Sequence, residues 1–89
     1  MELEFEGTIT KDGERWVSII ETLGLATFGD TVEAAVSAMH AAVEEFFEVA
    51  RDLGQLGVVM ARLNKQLPPR GPIRARTHFR MDHEQTLGL

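Results

Sequence analysis

Two segments near opposite ends of the chain alternate between two kinds of side chain, and this alternation constrains the fold more than any other feature. In the segment 2–10, one face carries Leu3, Phe5, Gly7 and Ile9. The other face of that segment carries Glu2, Glu4, Glu6, Thr8 and Thr10. In residues 73–81 one face is basic and consists of Arg74, Arg76, His78 and Arg80. A period of two residues is typical of strands with one buried and one solvated face, so both segments are predicted to be strands.

The solvated faces of these two strands have opposite charge. If the late strand lies beside the first, in the same chain or in a second copy, the acidic and basic rows form cross-strand ion pairs of about 0.2–1 kcal/mol each. The alternative is a basic face that contacts nucleic-acid phosphates. The ion-pair interpretation is favoured, because Trp16 and five phenylalanines provide no evident platform for base stacking.

The segments between residues 10 and 29 predict two further strands. Asp12-Gly13 separates two apolar runs and is a strong hairpin signal. Residues 15–21 are β-branched and aromatic on both faces, which indicates a central strand. A third strand is expected over residues 23–28, bracketed by Gly24 and Gly29. Residues 2–28 therefore predict a three-stranded antiparallel meander.

A long amphipathic helix follows. Asp30 is placed to cap its first N–H groups, and Glu33 follows three residues later as in a capping box. Apolar residues then recur at spacings of four and three: Val32, Val36, Met39, Val43, Phe46, Ala50 and Leu53. Gly54 is expected to end the helix. Phe46 and Phe47 are adjacent and cannot both face the sheet, so one of them is expected to cover a second helix or a dimer contact.

The remaining segments complete one small domain over residues 1–81. Residues 56–65 form either a second short helix or an irregular crossover, residues 68–72 form an extended Pro/Gly connector, and residues 82–89 form a flexible tail. The predicted fold class is α+β in the order β-β-β-α-(α)-β. The sheet is expected to be antiparallel, in the order third, second, first, fourth, with the long helix packed on one face.

Composition narrows the range of functions. The 89 residues carry a net charge of −5 and no cysteine, which excludes disulfides, thiolate zinc sites and cysteine nucleophiles. Residues 1–50 hold eleven carboxylates and two cations, whereas residues 51–89 hold seven cations and three carboxylates. The acidic balance argues against indiscriminate nucleic-acid binding. No apolar run reaches the roughly 20 residues of a membrane span, and the acidic N-terminus is unlike a signal peptide, so we expect a cytoplasmic protein.

The stretch from Glu21 to Ala35 carries a more specific pattern, in which a short strand beginning at a glycine leads through Gly-Asp-Thr into a long helix. This pattern resembles the HicB-like antitoxin family. The matching positions are Gly24, Thr27, Gly29, Asp30, Thr31, Glu33 and Ala35, and Ala42 occupies a second recurring small position. From the residues themselves, we expect structural roles here: backbone angles suited to glycine at Gly24 and Gly29, helix capping by Asp30 or Thr31, and close helix–sheet approach at the alanines.

The resemblance implies a reduced ribonuclease-H-like arrangement and a binding function. HicB-like proteins dock on a small HicA-like mRNA-cleaving toxin, cover its catalytic histidine, and commonly form dimers or larger assemblies. The chain departs from the family pattern at Leu23, where proline is common, and at Ala34, where a second acidic residue is usual. Many relatives carry a DNA-binding module after this domain. A late strand builds no such module, so self-repression through one is not expected.

Charge suggests where a toxin would bind. A basic, RNA-binding toxin suits an acidic helix face formed by Glu44, Glu45 and Glu48. The solvated basic row of the late strand, Arg74, Arg76, His78 and Arg80, is the candidate surface for a nucleic acid. We expect direct nucleic-acid binding to be the weaker of the two interpretations.

An enzyme is not expected. Two-metal nuclease chemistry needs several converging carboxylates, and the cations of the late strand would repel the metal. Neither Ser18 nor Ser37 has a nucleophile motif, and His40, His78 and His83 lack metal-ligand spacing. We therefore predict a non-enzymatic antitoxin-type module without cofactor or metal, which forms a homodimer or larger assembly. The alternatives are an orphan oligomeric structural domain and a nucleic-acid-binding module.

Overall fold

A computed structural model describes residues 2–65 and 73–81. The described elements are β1 (Glu2–Asp12), β2 (Arg15–Ile20), β3 (Leu25–Gly29), α1 (Val32–Asp52), α2 (Leu56–Arg62) and β4 (Arg74–Met81). The predicted α+β order is confirmed, and the segment after α1 begins as a second helix. The predicted connector over residues 68–72 and the tail over residues 82–89 lie outside the described residues. Neither described helix has the length and apolarity that a membrane span requires.

The four strands form one sheet in the order β3-β2-β1-β4, as expected. β1 pairs antiparallel with β2, and β2 pairs antiparallel with β3. β4 pairs parallel with β1, so the sheet is mixed and not antiparallel throughout. Parallel pairing requires a long connection between the two strands, and the connection from β1 to β4 contains β2, β3 and both helices.

The turn between β2 and β3 is more compact than the sequence indicates. Residues Glu21–Leu23 form a short 3-10 turn instead of the end of one strand and the start of the next. Gly24 ends this turn at φ 67°, in the left-handed region that glycine enters without steric cost. The expectation that Gly24 supplies unusual backbone angles is therefore confirmed.

The core lies between the sheet and the helices. The residues of its main cluster are Leu3, Phe5, Ile20, Met39, Val43, Phe47 and Met60. The Phe5 and Phe47 rings are stacked with centroids 6.2 Å apart, which joins β1 to the C-terminal half of α1. Met60, which is 1% exposed, anchors α2 in the same cluster. The buried face of β1 is the one that the alternation predicts.

The buried stripe of α1 differs from the predicted one in its second half. Phe47 is 6% exposed and faces the core, whereas Phe46 is only partly buried and Leu53 is 68% exposed. The prediction that Leu53 belongs to the buried stripe is therefore wrong, and Phe46 lies at the edge of the stripe, where it packs against the core cluster without being fully buried. Alternating spacings of four and three residues average 3.5 residues per turn, whereas a straight α-helix has 3.6 residues per turn. The buried face therefore rotates around the helix by about 20° with every seven residues.

The first turn of α1 is capped by Thr31. Its hydroxyl accepts a hydrogen bond from the Ala34 N–H at 3.0 Å, so Thr31 is the N-cap residue. Asp30 lies one residue too early for that role, and Glu33 is the second helical residue, not the third. The predicted capping box of Asp30 and Glu33 is therefore wrong, and the alternative cap at Thr31 is confirmed.

Candidate protein-binding surfaces

A buried cluster of hydroxyl groups fastens α1 to the sheet. The Ser18 hydroxyl on β2 lies 2.7 Å from the Thr27 hydroxyl on β3. Both hydroxyls also reach the Ala35 carbonyl oxygen of α1, at 3.2 and 3.0 Å. Ser18 is fully buried, and so is Ala35. Sequence reasoning placed Thr27 in the family pattern but missed Ser18. The signal that would have found Ser18 is a polar residue at an inward position of β2, opposite an inward threonine of β3.

Gly29 is required for a different reason from the one expected. Its backbone does not lie in the left-handed region. A Cβ atom added to Gly29 would lie within 2.4 Å of the Ala35 backbone nitrogen and 2.7 Å of the Ala34 carbonyl carbon. Glycine therefore allows the first turn of α1 to pass directly against the end of β3, and the expectation of unusual backbone angles at Gly29 is wrong.

The other residues of the family pattern are split between structure and surface. Ala35 is buried against the sheet, which confirms its role in close packing. Asp30 and Glu33 are exposed at the start of α1. Ala42 is partly buried beside a surface groove. Most matching residues thus position α1 on the sheet and do not form a binding site themselves.

The sheet face opposite the helices carries the two charged rows side by side. In the register of β1 and β4, Glu2 lies opposite Arg74, Glu4 opposite Arg76, and Glu6 opposite His78. Ion pairs form along the diagonals of this register. Arg76 Nη2 lies 3.4 Å from Glu2 Oε1, and His78 Nε2 lies 3.7 Å from Glu4 Oε1. The pairing of the two rows within a single chain is confirmed by the Arg76–Glu2 ion pair, and the His78–Glu4 contact is an ion pair only when the imidazole is protonated; all four side chains are more than half exposed.

The outer two cations of the basic row are not used by this ladder. Arg74 and Arg80 make no ion pair within 4.0 Å with a residue of the described ranges 2–65 and 73–81. Exposed pairs such as Arg76–Glu2 contribute about 0–1 kcal/mol, so the ladder helps to set register more than it stabilises the fold. The acidic row also reduces the positive potential of β4, which weakens the nucleic-acid interpretation of this face.

An acidic surface lies on α1. It consists of Glu44, Glu45 and Glu48, which are all exposed. None of the three has an ion-pair partner among the residues that the structure describes. Unlike Glu2 and Glu4 of β1, these carboxylates make no ion pair within residues 2–65 and 73–81, and the cation of the cleft that Glu44 and Glu48 line is Arg51. The candidate acidic face of the sequence is thus present as a continuous patch on one helix.

An apolar groove of about 450 Å³ adjoins the acidic surface, between α1, α2 and β3. It is lined by Leu25, Ala42, Glu45, Phe46, Val49, Ala50 and Val59. Val49 is 45% exposed, and neighbouring Val58 on α2 is 56% exposed. An apolar centre with a charged rim is the usual composition of a protein–protein interface. Sequence reasoning expected one of the two phenylalanines to leave the sheet, and Phe46 does so by entering this groove.

The described residues offer no constellation for metal-dependent chemistry. No group of three or more His, Asp or Glu side chains in residues 2–65 and 73–81 is arranged to hold a metal ion. The His40 ring contacts the edge of Phe79, with centroids 6.1 Å apart, so it packs on β4 and is not simply solvated. His83 lies outside the described residues. His40 and His78 therefore belong to no candidate metal site within the described residues.

No protein-family model, curated protein or solved structure matches this chain. The likeness to HicB-like antitoxins therefore stays a prediction that depends on the residues from Gly24 to Ala42. The acidic surface and the apolar groove are observations of the structure and do not depend on that likeness.

Proposed function

We propose that this chain is a protein-binding module of the HicB-like antitoxin type, which neutralises a small, basic, HicA-like mRNA-cleaving toxin by occlusion. The observation that carries the proposal is the acidic surface of Glu44, Glu45 and Glu48, which makes no ion pair with the described residues and lies beside the apolar groove. The resemblance of residues 24–42 to the family supports the class of partner.

The charges of the two acidic regions differ in a way that favours α1 as the binding element. Glu2 and Glu4 on β1 are engaged by Arg76 and His78 of β4. The three α1 carboxylates make no ion pair among the described residues, and with Arg51 as the cation beside Glu44 and Glu48 the patch keeps a net negative charge. Such a patch steers a basic RNA-binding protein toward the complex and competes with RNA for the same cations.

The groove supplies the apolar contact that charge alone lacks. Phe46 and Val59 form its walls, and Val49 lies on the same side of α1 as Glu45 and Glu48. Aromatic and aliphatic side chains at the centre of an interface usually carry most of the binding free energy, while rim charges mainly change the association rate. We therefore assign affinity to Phe46 and its neighbours and association rate to the glutamates.

The attachment of α1 to the sheet makes this surface rigid. The contacts of Ser18 and Thr27 with Ala35 hold the N-terminal half of the helix, and the Phe5–Phe47 stack holds the C-terminal half, which carries the surface. A surface that is already ordered loses little conformational entropy on binding, which favours tight occlusion of an active site.

The same groove favours a second candidate function, an oligomeric structural domain without a toxin. The exposed Val49, Leu53 and Val58 lie on one end of the α1–α2 pair. Large exposed apolar patches mark interfaces between proteins, and two copies of this patch can cover each other. Under this second candidate function the chain forms a homodimer. The groove of each copy is then covered by the second copy and is not accessible to another protein.

Co-expression of the chain with the product of the neighbouring open reading frame tests the proposal. The complex is purified through a tag on the chain, and RNA cleavage by the released partner is measured with and without added chain. The informative variant is Glu45→Lys/Glu48→Lys. The matched control is Glu14→Lys/Glu21→Lys, which makes the same charge change at exposed sites away from α1.

We expect the wild-type chain to co-purify with the partner and to inhibit cleavage. The association rate of the Glu45→Lys/Glu48→Lys variant should fall roughly tenfold at low salt, because steering is lost, and the control should bind normally. Absence of a complex with the wild-type chain, or equal loss in both variants, would overturn the proposal. A stable homodimer that binds no partner would support the structural-domain alternative.

A further inference from the structure

β4 is an edge strand of eight residues. It pairs with β1 on one side, and no strand of the described residues pairs with its other side. Its eight residues therefore present a free row of backbone N–H and C=O groups. Such an edge is a template for another extended segment, and its side chains decide which segments it accepts.

A cleft of about 350 Å³ runs beside this edge on the helix side of the sheet. Its lining comes from α1 and β4: His40, Val43, Glu44, Ile73, Arg74, Ala75 and Thr77. The inward residues Ala75, Thr77 and Phe79 are only partly buried, whereas Leu3, Phe5 and Ile9 of β1 are almost fully buried. The helices therefore cover the inner side of β1 more fully than that of β4, and the inner side of β4 is open to small side chains of a further strand.

We propose that the free edge of β4 and this cleft dock an extended acidic segment of a partner protein as a fifth strand of the sheet. The segment carries Asp or Glu at alternate positions, on the side of Arg74, Arg76, His78 and Arg80. Its intervening residues are small and uncharged, and they enter the cleft between α1 and β4. Glu44 is the one acidic residue in the described lining of the cleft, which is why the residues of the segment that enter the cleft are uncharged.

The chain already shows this chemistry on the other side of β4. β1 has glutamate at alternate positions, and Glu2 and Glu4 contact Arg76 and His78. Arg74 and Arg80 have no such partner among the described residues, so cations remain for a second acidic strand. Pairing of β4 with β4 of a second copy on the same face would place like charges opposite each other, which is destabilising.

This docking site shares Glu44 with the acidic surface proposed for the toxin, but it lies away from the apolar groove. Leu25 of the apolar groove belongs to β3, at the opposite edge of the sheet from β4. Binding at the β4 edge is measured on the chain alone, so its outcome does not depend on the existence of a toxin.

A capped eight-residue peptide of alternating glutamate and valine is a suitable probe. It is titrated into the full-length ¹⁵N-labelled chain, and amide shifts and the dissociation constant are recorded. Two control peptides have lysine in place of glutamate, or N-methyl groups on alternate backbone nitrogens. The test variant is Arg74→Glu/Arg80→Glu, which leaves both ion pairs with β1 intact. The matched control is Arg62→Glu/Lys65→Glu at exposed positions.

We expect saturable binding with the largest shifts in β4, and a loss of affinity of roughly tenfold or more in Arg74→Glu/Arg80→Glu but not in the control. The lysine and N-methyl peptides should not bind to the wild-type chain. Absence of binding at millimolar peptide concentration would overturn the proposal. This outcome includes the case in which another segment of the chain already occupies the edge. The proposal would also be overturned if either control peptide bound the wild-type chain as tightly as the glutamate peptide does. These peptide comparisons use only the wild-type chain, so they do not depend on the folding of a variant.

Discussion

The Ser18 hydroxyl lies 2.7 Å from the Thr27 hydroxyl, and the two share the Ala35 carbonyl oxygen as an acceptor. Two hydroxyls have two protons for three contacts, so either both donate to the Ala35 carbonyl, or one donates to it and the other donates to the neighbouring hydroxyl. Three elements, β2, β3 and α1, meet at this point. A buried and satisfied polar network of this kind specifies one packing arrangement in a core that is otherwise apolar.

Removal of either hydroxyl should destabilise the fold modestly. Ser18→Ala and Thr27→Val are each expected to lower the free energy of unfolding by about 1 kcal/mol. The loss of unfolding free energy in the double variant should be smaller than the sum of the two single losses by about 0.5 kcal/mol or more. The reason is that each single variant already removes the hydrogen bond between the two hydroxyls. Urea unfolding measures all three. Thr22→Val, at an exposed threonine, is the control, and strict additivity would contradict the shared network.

Gly29→Ala should be one of the most damaging substitutions in the chain. The new Cβ would meet the backbone of Ala34 and Ala35, which cannot move without lifting the start of α1 from the sheet. We expect a loss of about 2–3 kcal/mol in the free energy of unfolding. Gly13→Ala is the matched control: its Cβ meets nothing within 4 Å, and only its φ of 64° opposes alanine, at about 1 kcal/mol. Equal unfolding midpoints in urea would contradict the close approach at Gly29.

Alanine substitutions of Phe46 and Phe47 should separate an effect on partner binding from an effect on the stability of the fold. Phe47→Ala removes a buried ring that stacks on Phe5 and is expected to cost about 3–5 kcal/mol. Phe46→Ala should cost clearly less, since its ring is only partly buried and lines the groove. The same Phe46→Ala variant should weaken the complex with the proposed partner, or dissociate a homodimer. Thermal unfolding and size-exclusion chromatography measure the two effects, and a larger stability loss for Phe46→Ala would contradict the placement of the rings.

A charge swap should reveal the diagonal ion pair between the first and last strands. Arg76→Glu places a carboxylate beside Glu2 and is expected to cost roughly 0.5–1 kcal/mol at low salt. The additional change Glu2→Arg should recover part of that loss. Both effects should shrink in 1 M NaCl, because screening then acts over about 3 Å. Lys65→Glu, at an exposed position outside the sheet, controls for net charge. No recovery in the double variant, measured by urea unfolding, would contradict the pairing.

Much of the fold was predictable because short-range patterns determine it. The alternation of residues 2–10 identified the buried face of β1, and Asp12-Gly13 identified the hairpin, where Gly13 has φ 64°. The opposite charges of Glu2, Glu4, Arg76 and His78 indicated which strands are neighbours. Each of these signals depends on the position of residues along one strand or turn, and the tertiary structure preserves it.

The candidate surfaces were only partly predictable. The exposed positions of Glu44, Glu45 and Glu48 follow from helical periodicity, but the apolar groove beside them depends on where α2 lies. Ser18 was considered only as a nucleophile, since nothing in its neighbours along the chain shows that Thr27 and Ala35 lie beside it. Contacts between three different elements have no signature in a single segment.

The sequence by itself determined the order of elements, the faces of β1 and β4, and the charge that each face carries, because side-chain periodicity needs no knowledge of distant contacts. Only the tertiary structure decided that β4 runs parallel to β1, that Phe47 rather than Phe46 is buried, and that Gly29 is needed for the passage of α1. These outcomes depend on how a helix of 3.6 residues per turn settles on a twisted sheet, where a shift of one residue changes which atoms touch.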